Sequence, residues 1–310
     1  MRITRDYQFA QPQDRGAVAA IGNFDGVHRG HQYVLDIARE KAAELNAPLG
    51  VMTFEPHPRQ YFAPKSAPFR LMNAAARAGR LESLGVKNLY ELSFNDTLSA
   101  LSAEDFARKV IHDGLGLKHV IVGADFRFAR DREGSAEMLV ELGKRLGFGV
   151  TIAPLMADLG EEISSTAIRR ALSDGRPTDA ARMLGHLHRI EGEVVRGDQR
   201  GRDLGFPTAN LNIAGIHPPK FGVYAVKVAI LTGSFAGEYG GAASLGTRPM
   251  FGENLPNLES YIFDFKGDIY GEHISVGLLE YLRPEQKFDS IDALIAQMGA
   301  DCDRARALLA

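Results

Sequence analysis

Apolar positions in the first half of the chain fall in short unbroken runs separated by longer amphipathic stretches. Residues 17–23 (AVAAIGN) read as a buried strand, and the spacing of Val34, Leu35, Ala38 and Leu45 predicts a helix over 32–45. The next strand is LGVMTF at 49–54. The alternation then repeats, with helices at 73–84, 103–114 and 135–146 and strands at 88–93, 119–123 and 149–153. Such βα alternation predicts an open parallel sheet with helices on both faces.

After about residue 185 the period changes. Strand-like segments at 188–196, 222–231, 240–246, 258–265 and 273–280 follow one another with no long helical stretch between them. Several alternate, as in Tyr224-Ala225-Val226-Lys227-Val228, which predicts an antiparallel barrel or sandwich. Residues 288–309 return to helical spacing through Ile291, Leu294, Ile295, Met298 and Leu308. The break Ser173-Asp174-Gly175-Arg176-Pro177 places the boundary within 173–187, so domains 1–182 and 183–310 are expected.

Composition narrows the classes of function. A length of 310 residues suits two domains, and 45% apolar with 24% charged residues excludes a disordered chain. No apolar run approaches the ~20 residues of a membrane span. With 36 basic and 39 acidic residues, a broad electrostatic grip on nucleic acid is not expected. Cys302 is the single cysteine, so neither an internal disulfide nor a cysteine-rich zinc site can form. The opening MRITRDYQFAQPQDRG has no apolar core, and the expected setting is reducing and cytoplasmic. The 33 glycines cluster at 22–30, 197–205 and 237–252, beside polar and charged residues. Glycines so placed serve tight turns or let backbone approach a phosphate.

The segment GNFDGVHRGH (22–31) joins the first strand to the first helix, where open α/β sheets bind ligands. His28 and His31 share one helical turn near a helix N-terminus, and two imidazoles there can donate to a phosphate and stabilise charge developing on it. Metal ligation or unrelated surface positions are the alternatives, although no third protein ligand is evident. In ISSTAIRR (163–170), Ser and Thr can cap a helix and leave donors for an anion, with Arg169 one turn beyond Ser165. From these residues alone a plain N-cap with a solvated arginine is the favoured reading. VGADFRF (122–128) puts Asp125 at a strand's C-terminal end, with Phe128 available to stack on a ring or to fill the core. TFEPHPR (53–59) lies on the same sheet edge.

GNFDGVHRGH, TFEPHPR, VGADFRF and ISSTAIR, in this order, resemble the adenylyltransferase half of bacterial FAD synthetases, members of the HxGH nucleotidyltransferase superfamily. The resemblance implies a Rossmann-like domain in which FMN attacks the α-phosphorus of ATP, giving FAD and pyrophosphate. It implies that His28 and His31 stabilise phosphates and that Ser164, Ser165, Thr166 and Arg169 form a second phosphate motif. Gly22, Asn23, Phe24, Asp25, Gly30 and Asp125 match nucleotide or flavin positions, with Phe62 and Phe128 as candidate isoalloxazine contacts. Ala167 departs from the family's usual arginine and Ala129 from its usual glycine.

In the second half, GDQRGRDLGFPTAN (197–210) links two strand-like segments with a glycine- and arginine-bearing loop suited to covering a polyphosphate. Pro207 fixes the backbone at its end, and in an extended chain Thr208 and Asn210 point to one side, where a hydroxyl and an amide oxygen can share Mg²⁺ with ATP. A polar turn leading into an ordinary strand is the alternative. Glu259, Tyr261, Phe263 and Phe265 are expected on one strand face, where a carboxylate is either a tuned base or a group at an exposed strand end. The P-loop pattern and the protein-kinase motifs are both absent from the sequence.

GRDLGFPTANL (201–211), GVYAV (222–226), LGTRPMFG (245–252), ESYIFDF (259–265), DIYG (268–271) and LRPEQKF (282–288) resemble riboflavin kinases in the family's order. That resemblance implies a six-stranded antiparallel β-barrel with a C-terminal helix, transferring the ATP γ-phosphate to the riboflavin 5′-hydroxyl. Thr208 and Asn210 match the Mg-ATP residues and Glu259 the base. Gly201, Arg202, Gly205 and Pro207 match the nucleotide loop, and Arg283 and Glu285 a loop near the flavin. Arg248-Pro249-Met250 replaces the usual Asn-Pro-Thr, and Glu259-Ser260-Tyr261 the usual Glu-x-His. Together the resemblances imply a bifunctional FAD synthetase acting on riboflavin, FMN, FAD and MgATP, with no nucleic-acid or membrane partner. A chain with one active half, or a flavin sensor without turnover, are the competing readings.

Overall fold

Val18–Ile21 is buried at every position, as the central strand of a sheet covered on both faces must be. The computed structural model describes all residues except 155–156, 159–160, 198–200, 202–203 and 251–252, and only the backbone of 157–158, 161–162, 248–250 and 253–255. The chain packs as two units, one of Met1–Ser66 with Ala74–Ile163 and one of Ala67–Asn73 with Ser164–Ala310.

The strands of the first unit are β1 (Arg2–Thr4), β2 (Val18–Ile21), β3 (Leu49–Glu55), β4 (Asn88–Ser93), β5 (His119–Gly123), the pair β6 (Arg127–Phe128) and β7 (Gly134–Ser135), β8 (Gly149–Ala153), and the pair β9 (Ala157–Asp158) and β10 (Glu161–Glu162). Six of them form a parallel sheet in the order β1-β4-β3-β2-β5-β8. The helices are α1 (Arg29–Glu44), α2 (Pro58–Phe62), α3 (Ala74–Ser83), α4 (Asp96–Ser99), α5 (Ala103–Asp105) running into a π-helical segment Phe106–Gly114, and α6 (Ala136–Leu146). Ala19 and Ile21 pack with Met52, Val120, Val110 and Leu139 in one core, while Val18 and Ala20 are fully buried as well. The chain builds outward from β2 through β3 and β4, then crosses back to place β5 on its other side. The C-terminal end of β2 is therefore the switch point, where a crevice opens for ligands.

The second unit begins with α7 (Ser165–Ser173) and α8 (Pro177–Leu184). Strands β11 (His188–Glu193), β12 (Thr208–Asn212), β13 (Gly222–Ile230), β14 (Gly237–Met250), β15 (Glu253–Ile262) and β16 (His273–Arg283) form one antiparallel sheet, ordered β11-β16-β13-β14-β15-β12. A bridge between Val195, just past β11, and Asn210 of β12 draws the two edges of this six-stranded half-barrel together. The helix Ile291–Leu309 lays Cys302 and Ala305 against Ala225, Ala242, Phe263 and Leu282.

Two expectations need correction. The break at 173–177 is a joint between two helices: Gly175 takes a left-handed φ of 76° and Pro177 opens α8. β15 ends at Ile262, where Asp264 turns the chain with φ 56°. Phe265 therefore leaves the face of Glu259 and packs edge-on against Phe235 and Tyr239. The edge strand β1 adds to these expectations: at three residues it is too short to carry a period along the sequence.

Candidate active sites

The loop after β2 turns tightly through left-handed conformations at Phe24 (φ 51°), Gly26 (86°) and Val27 (43°). For a β-branched residue such as Val27 this is a strained backbone, and neighbouring contacts hold it. The Val27 N–H donates to Phe24 O (3.1 Å), and Gln32 Nε2 donates to Val27 O (2.8 Å). Thr53 Oγ1 (3.2 Å) and Arg77 Nη1 (3.4 Å) both donate to Asn23 O. Asp25 is buried within the turn.

This turn delivers His28 to the N-cap of α1, where its Nδ1 accepts from the His31 N–H at 3.3 Å. That bond puts the ring proton on Nε2. The two imidazoles stack at 3.6 Å between centroids, and Phe24 lies 4.9 Å from His31. A Cβ at Gly30 would stand 3.2 Å from the His28 ring, so a larger residue there would press on the stack. Burial, and then the neighbouring His28, hold the His31 pKa well below 6.5. His31 Nδ1 is buried without a protein partner. With His31 held neutral, the pair is a preorganised donor site at a helix N-terminus, the arrangement an anionic oxygen requires.

The remaining expected residues of this half take different positions. Asp125 is exposed in the turn between β5 and β6. Phe128 is a core residue and not a surface for a ring: it is buried, 5.5 Å from Phe126 and 5.4 Å from Phe106. Phe62 is 70% exposed, edge-on to Tyr61 and Phe94, and leaves an aromatic surface. His57 caps α2 by accepting from the Arg59 N–H. At the start of α7, Ser164 caps by accepting from the Ala167 N–H (3.2 Å), with Ser165 half-buried and Thr166 exposed. Arg169 is anchored: its Nε donates to Phe69 O at 2.6 Å, and its guanidinium lies over the Phe69 ring.

In the second unit, Gly201, Thr208, Asn210, Glu259, Arg283 and Glu285 line a cavity of about 440 Å³ whose other walls include Phe206, Val223, Leu294 and Met298. The sheet brings these together. β12 pairs antiparallel with β15, and Asn210 stands directly opposite Glu259. Gly197 and Gly246 sit close under two of these side chains: a Cβ would fall 2.7 Å from Asn210 Oδ1 and 2.1 Å from Glu285 Oε1, so either substitution would displace the side-chain end. Arg283 braces β16 against the final helix, its Nε and Nη2 donating to Asp301 at 3.0 and 2.7 Å. Gly205 turns at φ 86°, while Pro207 is exposed; neither lines the cavity, and Arg202 lies outside the described residues. Asn257 was missed, although its spacing from Glu259 places both on one strand face: its Nδ2 donates to Asn210 Oδ1 (3.0 Å) and Glu259 Oε1 (3.3 Å).

Two family models match the chain, FAD synthetase over residues 10–167 and riboflavin kinase over 184–309. A bifunctional riboflavin kinase/FMN adenylyltransferase of Pseudomonas fluorescens is 42% identical, covering 100% of this chain and 98% of its own length. The chain belongs to the bifunctional riboflavin kinase/FMN adenylyltransferase family. The enzyme of that name from Escherichia coli is 40% identical over 97% of this chain and 96% of its own. The order of the matches assigns FMN adenylyl transfer to the N-terminal domain and riboflavin phosphorylation to the C-terminal one. A solved structure from Streptococcus pneumoniae, named a macrolide-efflux protein, is 34% identical with a TM-score of 0.84 over 98% of each chain. In the present family member, no helix among the described residues is long and apolar enough to cross a membrane.

Proposed function

We propose that this chain makes FMN and then FAD, with residues 1–182 serving adenylyl transfer and 183–310 serving phosphorylation. The observation that carries the kinase assignment is Glu259 lining one cavity with Thr208 and Asn210. Glu259 accepts the proton of the riboflavin 5′-hydroxyl as its oxygen attacks the γ-phosphorus of ATP, and ADP leaves. The Thr208 hydroxyl and Asn210 amide are hard oxygen donors on one side of β12, the donor set that suits Mg²⁺ bound to ATP. Bound there, Mg²⁺ neutralises phosphate charge.

In the N-terminal domain a phosphate oxygen of FMN attacks the α-phosphorus of ATP and pyrophosphate departs. His28 Nε2–H and the neutral His31 donate to the phosphates. Ser164, Ser165, Thr166 and Arg169 hold the pyrophosphate end at the α7 N-terminus. Asn23 and Asp25 meet the nucleotide, Asp125 and the exposed Phe62 the flavin. The cytoplasm supplies ATP and a reducing setting, and the balanced charge of the chain supports neither a nucleic-acid nor a membrane partner.

Incubating the protein with riboflavin and MgATP and separating products by chromatography tests this reading. FMN followed by FAD is the expected result. FMN alone would confine turnover to the kinase half, and flavin binding without ATP consumption would make the chain a sensor.

A further inference from the structure

Asn257 is 8% exposed, does not line the kinase cavity, and joins two residues that do. Its Nδ2 lies 3.0 Å from Asn210 Oδ1 and 3.3 Å from Glu259 Oε1. An ionised carboxylate only accepts hydrogen bonds, so Glu259 dictates which way the Asn257 amide faces. The reversed amide would set oxygen against oxygen. With Nδ2 directed at Glu259, the same group meets Asn210, and Asn210 must offer its oxygen in return. The Asn210 Nδ2 then donates to Thr208 O at 3.3 Å. One orientation therefore propagates from Glu259 through Asn257 to Asn210 and Thr208.

This arrangement leaves Asn257 Oδ1 buried with no partner. An unsatisfied buried acceptor is costly, and an apolar side chain of the same shape would avoid it. The fold nevertheless keeps an amide at this position. We propose that Asn257 is a positioning residue of the kinase site, setting the direction of the Asn210 amide oxygen by reference to the Glu259 carboxylate. The proposal rests on the kinase reading of this cavity.

Asn257→Leu removes the relay and the orphan acceptor together. Riboflavin phosphorylation should fall in kcat by about tenfold or more, as for lost outer-shell partners, with the KM for riboflavin within about twofold. The thermal midpoint should stay level or rise, and adenylylation of supplied FMN should not change. Asn257→Asp, which keeps the shape but loses the donor, should lose kcat at least as strongly and provides the measurement if the leucine variant does not fold. A kcat within about twofold of the parent in a folded variant overturns the assignment, as does a loss that tracks a fall in midpoint. A parent protein without riboflavin kinase activity overturns instead the reading on which the proposal stands.

Discussion

The guanidinium of Arg77 reaches the main-chain oxygen of Asn23 at 3.4 Å from a position with no solvent exposure. Its Nη2 also donates to Glu55 and Glu91, each at 3.0 Å. A buried charge of this kind ties the loop that carries Asn23, Asp25 and His28 to two neighbouring strands. Removing it leaves Glu91, itself almost fully buried, with the longer 3.5 Å contact to Arg5 as its ion pair among the described residues. Arg77→Leu should therefore lower unfolding stability by about 3–5 kcal/mol. Arg77→Lys keeps the charge but not the fork, and should fall between parent and leucine variant in urea denaturation. A leucine variant as stable as the parent would mean that the ion pairs contribute little.

His28 and Glu259 should separate the two reactions. His28→Ala removes the Nε2–H donor, so FAD formation from FMN should drop about a hundredfold to a thousandfold while riboflavin phosphorylation continues. Glu259→Gln should reduce FMN formation by about a hundredfold to ten-thousandfold and leave adenylylation of supplied FMN intact. Product chromatography reads both. Loss of both activities in a variant that melts like the parent would contradict separate sites.

Ala129 adopts φ 66° and ψ −174°, a region open essentially to glycine alone. Ala129→Gly relieves strain of about 1–3 kcal/mol against an unfolded-state entropy cost of about 0.4–1 kcal/mol. A net gain near 1 kcal/mol is expected, raising Tm by about 2–4 °C. Calorimetry that finds a lower Tm would refute this backbone conformation.

His188 is buried in β11, its Nε2 unpartnered, and burial pushes its pKa down to about 3, aided by His186 and His217. The unfolded chain takes up this proton near pH 6.5 while the folded chain does not until about 3. Stability attributable to His188 is thus complete above pH 6.5 and is lost as pH falls from there toward 3. His31, also lowered, acts with the same sign. His188→Leu should flatten the fall in unfolding free energy between pH 6.5 and 4 by up to about 1.4 kcal/mol per pH unit. Denaturation curves with the same acid slope in both proteins would exclude His188 as the source.

Much of this architecture was legible along the chain. The parallel strands β2, β3, β4, β5 and β8 match the apolar runs because each βα step completes its hydrogen bonds and its buried face within a short stretch. The His28–His31 spacing was equally local, since an N-cap and the first turn of α1 are set by neighbouring residues. Single aromatic residues were not legible, because Phe128 in the core and Phe62 at the surface carry the same side chain. A residue type records chemistry but not exposure.

Sequence by itself determined the two-part organisation, the βα alternation of the parallel sheet, the long strands that follow it, and the residue types that each reaction needs, because periodicity and turn chemistry are local properties. Tertiary structure alone decided that Asn210 faces Glu259, that Asn257 joins them, that Arg77 reaches Asn23, and that Phe265 turns away. Those outcomes depend on sheet register and burial, which arise from contacts between segments distant along the chain and are invisible until the strands pair.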